Sequence, residues 1–376
     1  MSISAAGIIF SSLNDATLSR LTSERTVAAI PFACRYRLVD FCLSNMVNSN
    51  ISNISIVVNY NYRSLLEHVG SGKDWDLARR EKGINFISPF QTMTSLSTSV
   101  FSTKLEALKS MRDYVNEFKE EYVVLMDSHS VLNIDLSKVI EEHERSGAAV
   151  TFVTRRTPID FFSKTPKMMI SAVENKIIDI AMATSYTPRN VEISLGIFVM
   201  KTSYLRKIIE EADAHSQKSL TSMFIYRYKD SLFKTFCFDG YVASVFGFND
   251  YYKCSMELLR SEKARNSLLM RKDFPIFTRV HNSSPTFHKA TAKIENSLIA
   301  DECVIEGTVI NSIIFRGVRI GKNALVKDSI LFHGSYVDDN AYLSSIVTDK
   351  NVHVSKSVKL SGNENMPFYV QKGRRV

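Results

Sequence analysis

Leu298 to Val358 reads LIADECVIEGTVINSIIFRGVRIGKNALVKDSILFHGSYVDDNAYLSSIVTDKNVHVSKSV. No helical period runs through it. Apolar residues recur instead every six positions: Leu298, Val304 and Ile310; Ile314, Ile320 and Val326; Ile330, Tyr336 and Tyr342; Ile346, Val352 and Val358. The triplets begin at 298, 314, 330 and 346, each sixteen residues after the last. Such a register predicts a solenoid in which each triplet is one coil, its inward side chains stacked on those of the coils above and below. Gly, Asn and Asp residues at Glu306–Gly307, Gly321 and Asp338–Asp339 supply the turns. The alternative for this stretch is an ordinary antiparallel sheet.

Upstream the grammar changes. Ala5 to Phe10, Ile54 to Val58, Tyr122 to Met126, Ala148 to Val153 and Leu195 to Met200 read as apolar strands. Phe101, Leu105, Leu108, Val115 and Phe118 fall at helical spacing, which predicts one amphipathic helix over 101–118. A further helix is expected from Asn249 to about Leu269, with Asn249 and Asp250 as N-cap candidates. Strands alternating with helices imply a largely parallel sheet covered by helices. The fold class is therefore α/β, a Rossmann-like domain followed by a parallel β-helix. The expected division is an α/β domain at 1–255, a helical linker at 256–280 and the β-helix at 281–376. The polar stretch HNSSPTFHK, His281 to Lys289, and the prolines Pro275 and Pro285 mark the join.

The chain has 376 residues, 45% hydrophobic and 23% charged, the balance of a globular protein. No apolar run approaches the ~18–20 residues of a membrane span, and the first ten residues lack the basic start of a secretory signal. Five dispersed cysteines without a C-x-x-C pair suit a reducing compartment. A cytoplasmic protein is expected, with no membrane partner. The net charge of +8 suits anionic ligands such as nucleotides or sugar phosphates. Basic residues do not cluster or interleave with aromatics, so no nucleic-acid partner is expected.

The segment Ile8 to Asn45, IIFSSLNDATLSRLTSERTVAAIPFACRYRLVDFCLSN, resembles the opening of glucose-1-phosphate adenylyltransferases. These enzymes join ATP and glucose 1-phosphate into ADP-glucose and pyrophosphate. Phe32 to Asn45 follows the family run F-G-G-[KR]-[FY]-R-[IL]-[IV]-D-F-x-L-S-N, with Arg35, Tyr36, Arg37, Asp40, Phe41, Leu43, Ser44 and Asn45 in step. The family's second domain is a hexapeptide solenoid, so the resemblance covers essentially the whole chain. It implies a nucleotidyltransferase domain and a left-handed parallel β-helix of hexapeptide type.

The departures fall on the chemistry. The family's G-G-x-G-[ST]-R-L loop brings bare backbone N–H groups against phosphates, which requires glycine. Ser12 to Leu18 stand there without a glycine, and Leu13, Asp15 and Thr17 are among the degenerate positions. Val27 takes the place of the R-A-K-P lysine. His129 takes the place of the metal aspartate in A-G-D-H, and Asp127 reaches it only by a loop shift of two residues. Ala183 falls in the former E-K-P stretch, and Ser244 opens the segment that held the second metal aspartate. Losing one charge-stabilising group costs about 10²–10³ in rate; here several are lost together, so no catalytic residue and no bound cofactor are expected. Mg²⁺ would enter only through a partner.

The resemblance extends to the family's non-catalytic, GlgD-type subunits. It implies a catalytic adenylyltransferase subunit as partner, a heterotetramer, and a regulatory role in glycogen biosynthesis. It also places Arg25 and Arg37 at an effector site for phosphorylated metabolites or nucleotides, with Arg35 or Lys372, Arg374 and Arg375 as companions. Arg37 serves equally as a structural ion-pair partner of Asp40 or another acid. Ser194 and Gly196 match a strand whose serine touches sugar, the remains of a sugar pocket. His129 beside a strand end reads as a structural histidine. Competing functions are an active nucleotidyltransferase with a rearranged metal site using Asp127, a hexapeptide acyltransferase using His333 or His353, and a free-standing sensor.

Overall fold

Ala5–Phe10 is buried along its whole length. Its side chains divide by the strand period of two: Ala6, Ile8 and Phe10 join one core, Ala5 and Ile9 another on the opposite face. Such a strand needs helices on both sides. The computed structural model describes residues 4–11, 18–78, 82–89, 101–158, 167–182 and 190–376. In it, Leu43, Met46 and Trp75 cover one face of the sheet, and Leu105, Leu108, Leu205 and Phe224 the other.

Among the described residues the main sheet has nine strands, in the order Ile84–Ile87, Asn53–Val57, Ala5–Phe10, Tyr122–Asp127, Asn190–Lys201, Val150–Pro158, Phe233–Cys237, Lys176–Met182 and Met168–Val173. The first four are mutually parallel. Asn190–Lys201 runs antiparallel to both its neighbours. The parallel order thus governs the half that carries the crevice beyond Phe10 and Asp127. The far half is mixed: Phe233–Cys237 runs parallel to Val150–Pro158, while Met168–Val173 and Lys176–Met182 form an antiparallel hairpin, turned by Glu174 and Asn175 at φ of 50° and 62°.

Two helices differ from the sequence expectation. Residues 101–118 form Lys104–Ser110 and Arg112–Asn116, separated at Met111. Leu105, Leu108 and Val115 remain buried, so the periodicity was real although the helix is not continuous. Phe248–Arg260 starts after Gly247 without a side-chain cap. Asn249 and Asp250 lie inside its first turn, and the Asn249 amide donates to the Asn365 carbonyl. A new helix, Glu262–Leu269, follows, capped by Ser261 Oγ accepting from Ala264 N–H at 3.1 Å. The position 255/256 lies within the helix Phe248–Arg260.

The C-terminal region is a left-handed parallel β-helix. Its strands form three parallel sheets of five. The coil length is not uniform: Val304 pairs with Arg319, fifteen residues on, but Arg319 pairs with Tyr336, seventeen on. A constant period of sixteen therefore slips off the inward positions. Ile314, Ile320 and Val326 are inward, but the next coil turns in Leu331, Val337 and Leu343, leaving Tyr336 39% exposed. Asn323 and Asn340, at φ of 56° and 58°, take left-handed corners that asparagine tolerates. At Gly307 an added Cβ would lie 2.4 Å from the Ala324 carbonyl oxygen, which fixes glycine there.

A third core joins the two regions. Leu21, Ile30 and Phe32 meet Phe248, Tyr251 and Met256 of the long helix, and Phe315, Phe332 and Val347 of the solenoid. Adjacent tyrosines of that helix point to different regions: the Tyr251 hydroxyl donates to the Pro31 carbonyl at 2.8 Å, and the Tyr252 hydroxyl to the Asp328 carbonyl at 2.6 Å.

Candidate functional site

The crevice beyond the carboxyl ends of parallel strands is where such sheets bind ligands. Phe10 and Asp127 end two adjacent strands there, in register with each other. The loop after Phe10 carries Leu13, Asp15 and Thr17, which lie outside the described residues, as does Ala183. Asp127 is the last residue of its strand, two positions before His129. Its carboxylate is already engaged. Lys104 Nζ lies 2.5 Å from Asp127 Oδ2, and 5.7 and 5.8 Å from the ring centroids of Phe10 and Phe198. A carboxylate and two aromatic faces thus hold one ammonium group.

Gly196 backs this pair. Its φ is 72°, and an added Cβ would stand 2.3 Å from Asp127 Oδ2. Its N–H donates to Ser194 Oγ at 3.2 Å. Both residues therefore serve the local backbone and the approach of Asp127. His129 stacks on Phe246 with ring centroids 5.3 Å apart and planes 11° from parallel. Burial lowers its pKa, against the opposing pull of Asp127. Ser244 sits on a short strand opposite Ser130. Val27 is fully buried in a 3₁₀ turn, within the interdomain core. Among the described residues no group of three or more His, Cys, Asp or Glu side chains is placed to hold a metal ion. Among the described residues the donor set at this corner, one carboxylate already held by Lys104, does not fit Mg²⁺.

Arg25 departs from the expected anion site. It is 3% exposed, and its Nη2 lies 2.6 Å from Asp349 Oδ1, itself 2% exposed. Its Nη1 donates to the Leu21 carbonyl at 3.2 Å. The guanidinium is consumed as an interdomain strut. Arg37 does not pair with Asp40 through its side chain. Its guanidinium donates to the Ser64 carbonyl and hydroxyl at 2.5 and 2.9 Å, while its main-chain N–H donates to Asp40 Oδ2 at 3.0 Å. Asp40 Oδ1 meets His68 Nε2 at 2.6 Å. Lys372 pairs with Glu24.

A cavity of about 220 Å³ between the two regions gathers what remains. Arg35 and Arg37 line it with Arg316, Lys350, His281 and His333, and no carboxylate side chain lines it. Asp301 approaches Arg316 at 3.7 Å. Burial pushes Lys350 down to about 8, aided by Arg37 and Arg25, and lowers Arg37 to about 10. Burial and then neighbouring cations lower His281 and His333. These shifts describe a cation-rich pocket short of counter-charge. Sequence reasoning missed Arg316, Lys350 and His281 as site residues and raised His333 only as an acyltransferase candidate, because these residues come from separate coils and the linker. It also missed Lys104, whose only sequence signal was its place at a helix start.

The comparisons accord with this architecture. A nucleotidyl transferase family model matches residues 8–160, and a GlmU-like C-terminal hexapeptide model matches 282–366. The chain is similar to the glycogen biosynthesis protein GlgD of Bacillus subtilis (strain 168), with 31% identity covering 98% of this chain and 95% of the relative. GlgD of Geobacillus stearothermophilus is also 31% identical, over 98% and 96% of the two chains. A glucose-1-phosphate adenylyltransferase of Mycoplasma mobile is 27% identical over 83% and 81%. With a strand-end carboxylate neutralised by lysine inside an otherwise matching frame, the chain belongs to the glucose-1-phosphate adenylyltransferase family, among its GlgD-type glycogen biosynthesis proteins.

Proposed function

We propose that this chain is a regulatory, catalytically silent subunit of a cytoplasmic glucose-1-phosphate adenylyltransferase, acting on a catalytic partner subunit within a heterotetramer in glycogen biosynthesis. The observation that carries the reading is the Lys104–Asp127 pair: a fixed ammonium occupies the carboxylate that the crevice would offer a divalent ion. Metal clamping of phosphates supplies much of adenylyl transfer, so Mg²⁺ chemistry belongs to the partner. The test measures ADP-glucose formation from ATP and glucose 1-phosphate by this protein alone, by the catalytic subunit alone and by the mixture. The expected result is no turnover alone and a changed maximal rate, substrate affinity or effector response on mixing. Chelator-sensitive turnover by the pure chain would favour a second reading, an active nucleotidyltransferase with a rearranged metal site, which the strand-end position of Asp127 supports.

Within the regulatory reading, the interdomain cavity takes a phosphorylated metabolite or nucleotide effector on Arg35 and Arg37 with Arg316 and Lys350. A pH dependence follows. Lys350 has its pKa lowered in the folded chain to about 8. Raising the pH from 7 to 9 discharges it, so anion affinity falls by up to about tenfold. Conversely, a bound anion favours the ammonium form, and binding near pH 8 draws in protons. Calorimetric titration with inorganic phosphate in buffers of different ionisation enthalpy measures both effects. Affinity that rises with pH would refute the assignment.

A further inference from the structure

One sheet of the solenoid, the one holding Ile313, Ile330 and Val347, turns its outer face into the interdomain core. The sheet that starts at Phe287–His288 keeps its outer face open. Its inward positions, Ile305, Ile320, Val337 and Val354, are buried. The alternate positions form one outward row. In register these are Phe287, Val304, Arg319, Tyr336 and His353, and a bridge from His353 adds Arg375. Phe287 is 60% exposed, Arg319 and Arg375 are exposed, and Val304 and His353 are half-buried. Among the described residues Arg319 makes no ion pair. His353 Nε2 meets Asp338 Oδ2 at 2.9 Å, and Arg375 Nε lies 3.4 Å from Ser355 Oγ. Adjacent coils lie ~4.8 Å apart, so the row is about 24 Å long.

The row is complementary to itself when reversed. Its order is aromatic, aliphatic, cation, aromatic, imidazole, cation. Consider two copies related by a two-fold axis that lies along the strands, midway between Arg319 and Tyr336. Their solenoids run in opposite directions. Arg319 of one copy then faces Tyr336 of the other, Val304 faces His353, and Phe287 faces Arg375. Every contact occurs twice, as an isologous interface requires, and each guanidinium of the row meets an aromatic ring. Packing the same faces with the solenoids parallel sets Arg319 against Arg319 and Arg375 against Arg375, which like-charge repulsion disfavours. The remaining sheet fails in both directions. Its outward row Lys293, Thr308, Leu325, Tyr342 and Lys359 puts lysine opposite lysine either way. We propose that the open face joins a second copy of this chain, antiparallel, with Arg319 and Tyr336 astride the two-fold axis. A single row is a small contact, so the dimer is weak, with a dissociation constant of about micromolar order. The inference concerns this chain alone and stands apart from the regulatory reading; failure of the mixing experiment would leave it untouched.

Sedimentation velocity of the full chain across a micromolar concentration series tests it. The expected result is a concentration-dependent equilibrium between monomer and dimer. Tyr336→Arg sets guanidinium against guanidinium, and Arg319→Tyr removes the cation. Because the axis repeats each contact, either single substitution should weaken the dimer about tenfold or more. The double variant Arg319→Tyr/Tyr336→Arg rebuilds the pair with the roles exchanged, so association should return to within about threefold of the original. Far-UV circular dichroism confirms the fold of each variant. A chain that stays monomeric throughout the series, association unmoved by both single substitutions, or a double variant as weak as the single ones would overturn the proposal.

Discussion

Arg25→Met is expected to destabilise the chain by about 3–5 kcal/mol, because it strands a buried carboxylate. Asp349 is 2% exposed and has few remaining ways to be satisfied. The Tyr369 hydroxyl donates to its Oδ2 at 2.6 Å and the Lys350 N–H to its Oδ1 at 2.7 Å. Neither replaces a guanidinium. The pair spans 324 residues of sequence, so its loss weakens the junction of the two regions. Adding Asp349→Asn removes the stranded charge while keeping an oxygen for Tyr369. The double variant should therefore lose clearly less than the sum of the single losses. Urea unfolding followed by circular dichroism gives the comparison. A single-variant loss below about 1 kcal/mol would show that the pair is not a strut.

Phe332→Ala should cost a similar amount, about 3–5 kcal/mol. The side chain is fully buried. Its ring meets Phe315 edge-on at 5.1 Å and Tyr251 at 6.2 Å, and the Arg25 guanidinium lies 5.9 Å from its centroid. Removing it opens a void lined by both regions and the connecting helix. The surrounding strands are fixed by solenoid pairing, so the void collapses poorly. The unfolding curve should shift to lower denaturant and separate into two transitions, because the shared core is what couples the regions. Combined with Arg25→Met, the losses should be less than additive, since the two residues touch. Strict additivity would place them in independent units.

Much of the architecture was legible because it rests on short-range geometry. The strand Ala5–Phe10 declares itself by six consecutive apolar or small residues, and the solenoid by its recurrence of inward side chains. Fine registration was not legible. Coils of fifteen and of seventeen residues straddle a period of sixteen, and holding that period constant assigns Tyr336 inward although Val337 is the buried neighbour. The Glu174–Asn175 hairpin lacks the glycine that usually marks such turns, so its two strands at the sheet edge went unread, although their neighbours Val150–Pro158 and Asn190–Lys201 were marked by apolar runs.

The candidate site divides in the same way. Sequence by itself determined that the phosphate loop lacks glycine, that valine stands at position 27, and that the segment Phe32 to Asn45 keeps the family frame, because these are properties of residues near one another in the chain. Only the tertiary structure decided that Lys104 neutralises Asp127, that Asp349 consumes Arg25, and that Arg35 and Arg37 share a cavity with Arg316 and Lys350. Whether a charge is free to bind a ligand depends on which opposite charge folding brings within a few ångströms, and that distance is set by the packing of the sheet against the solenoid.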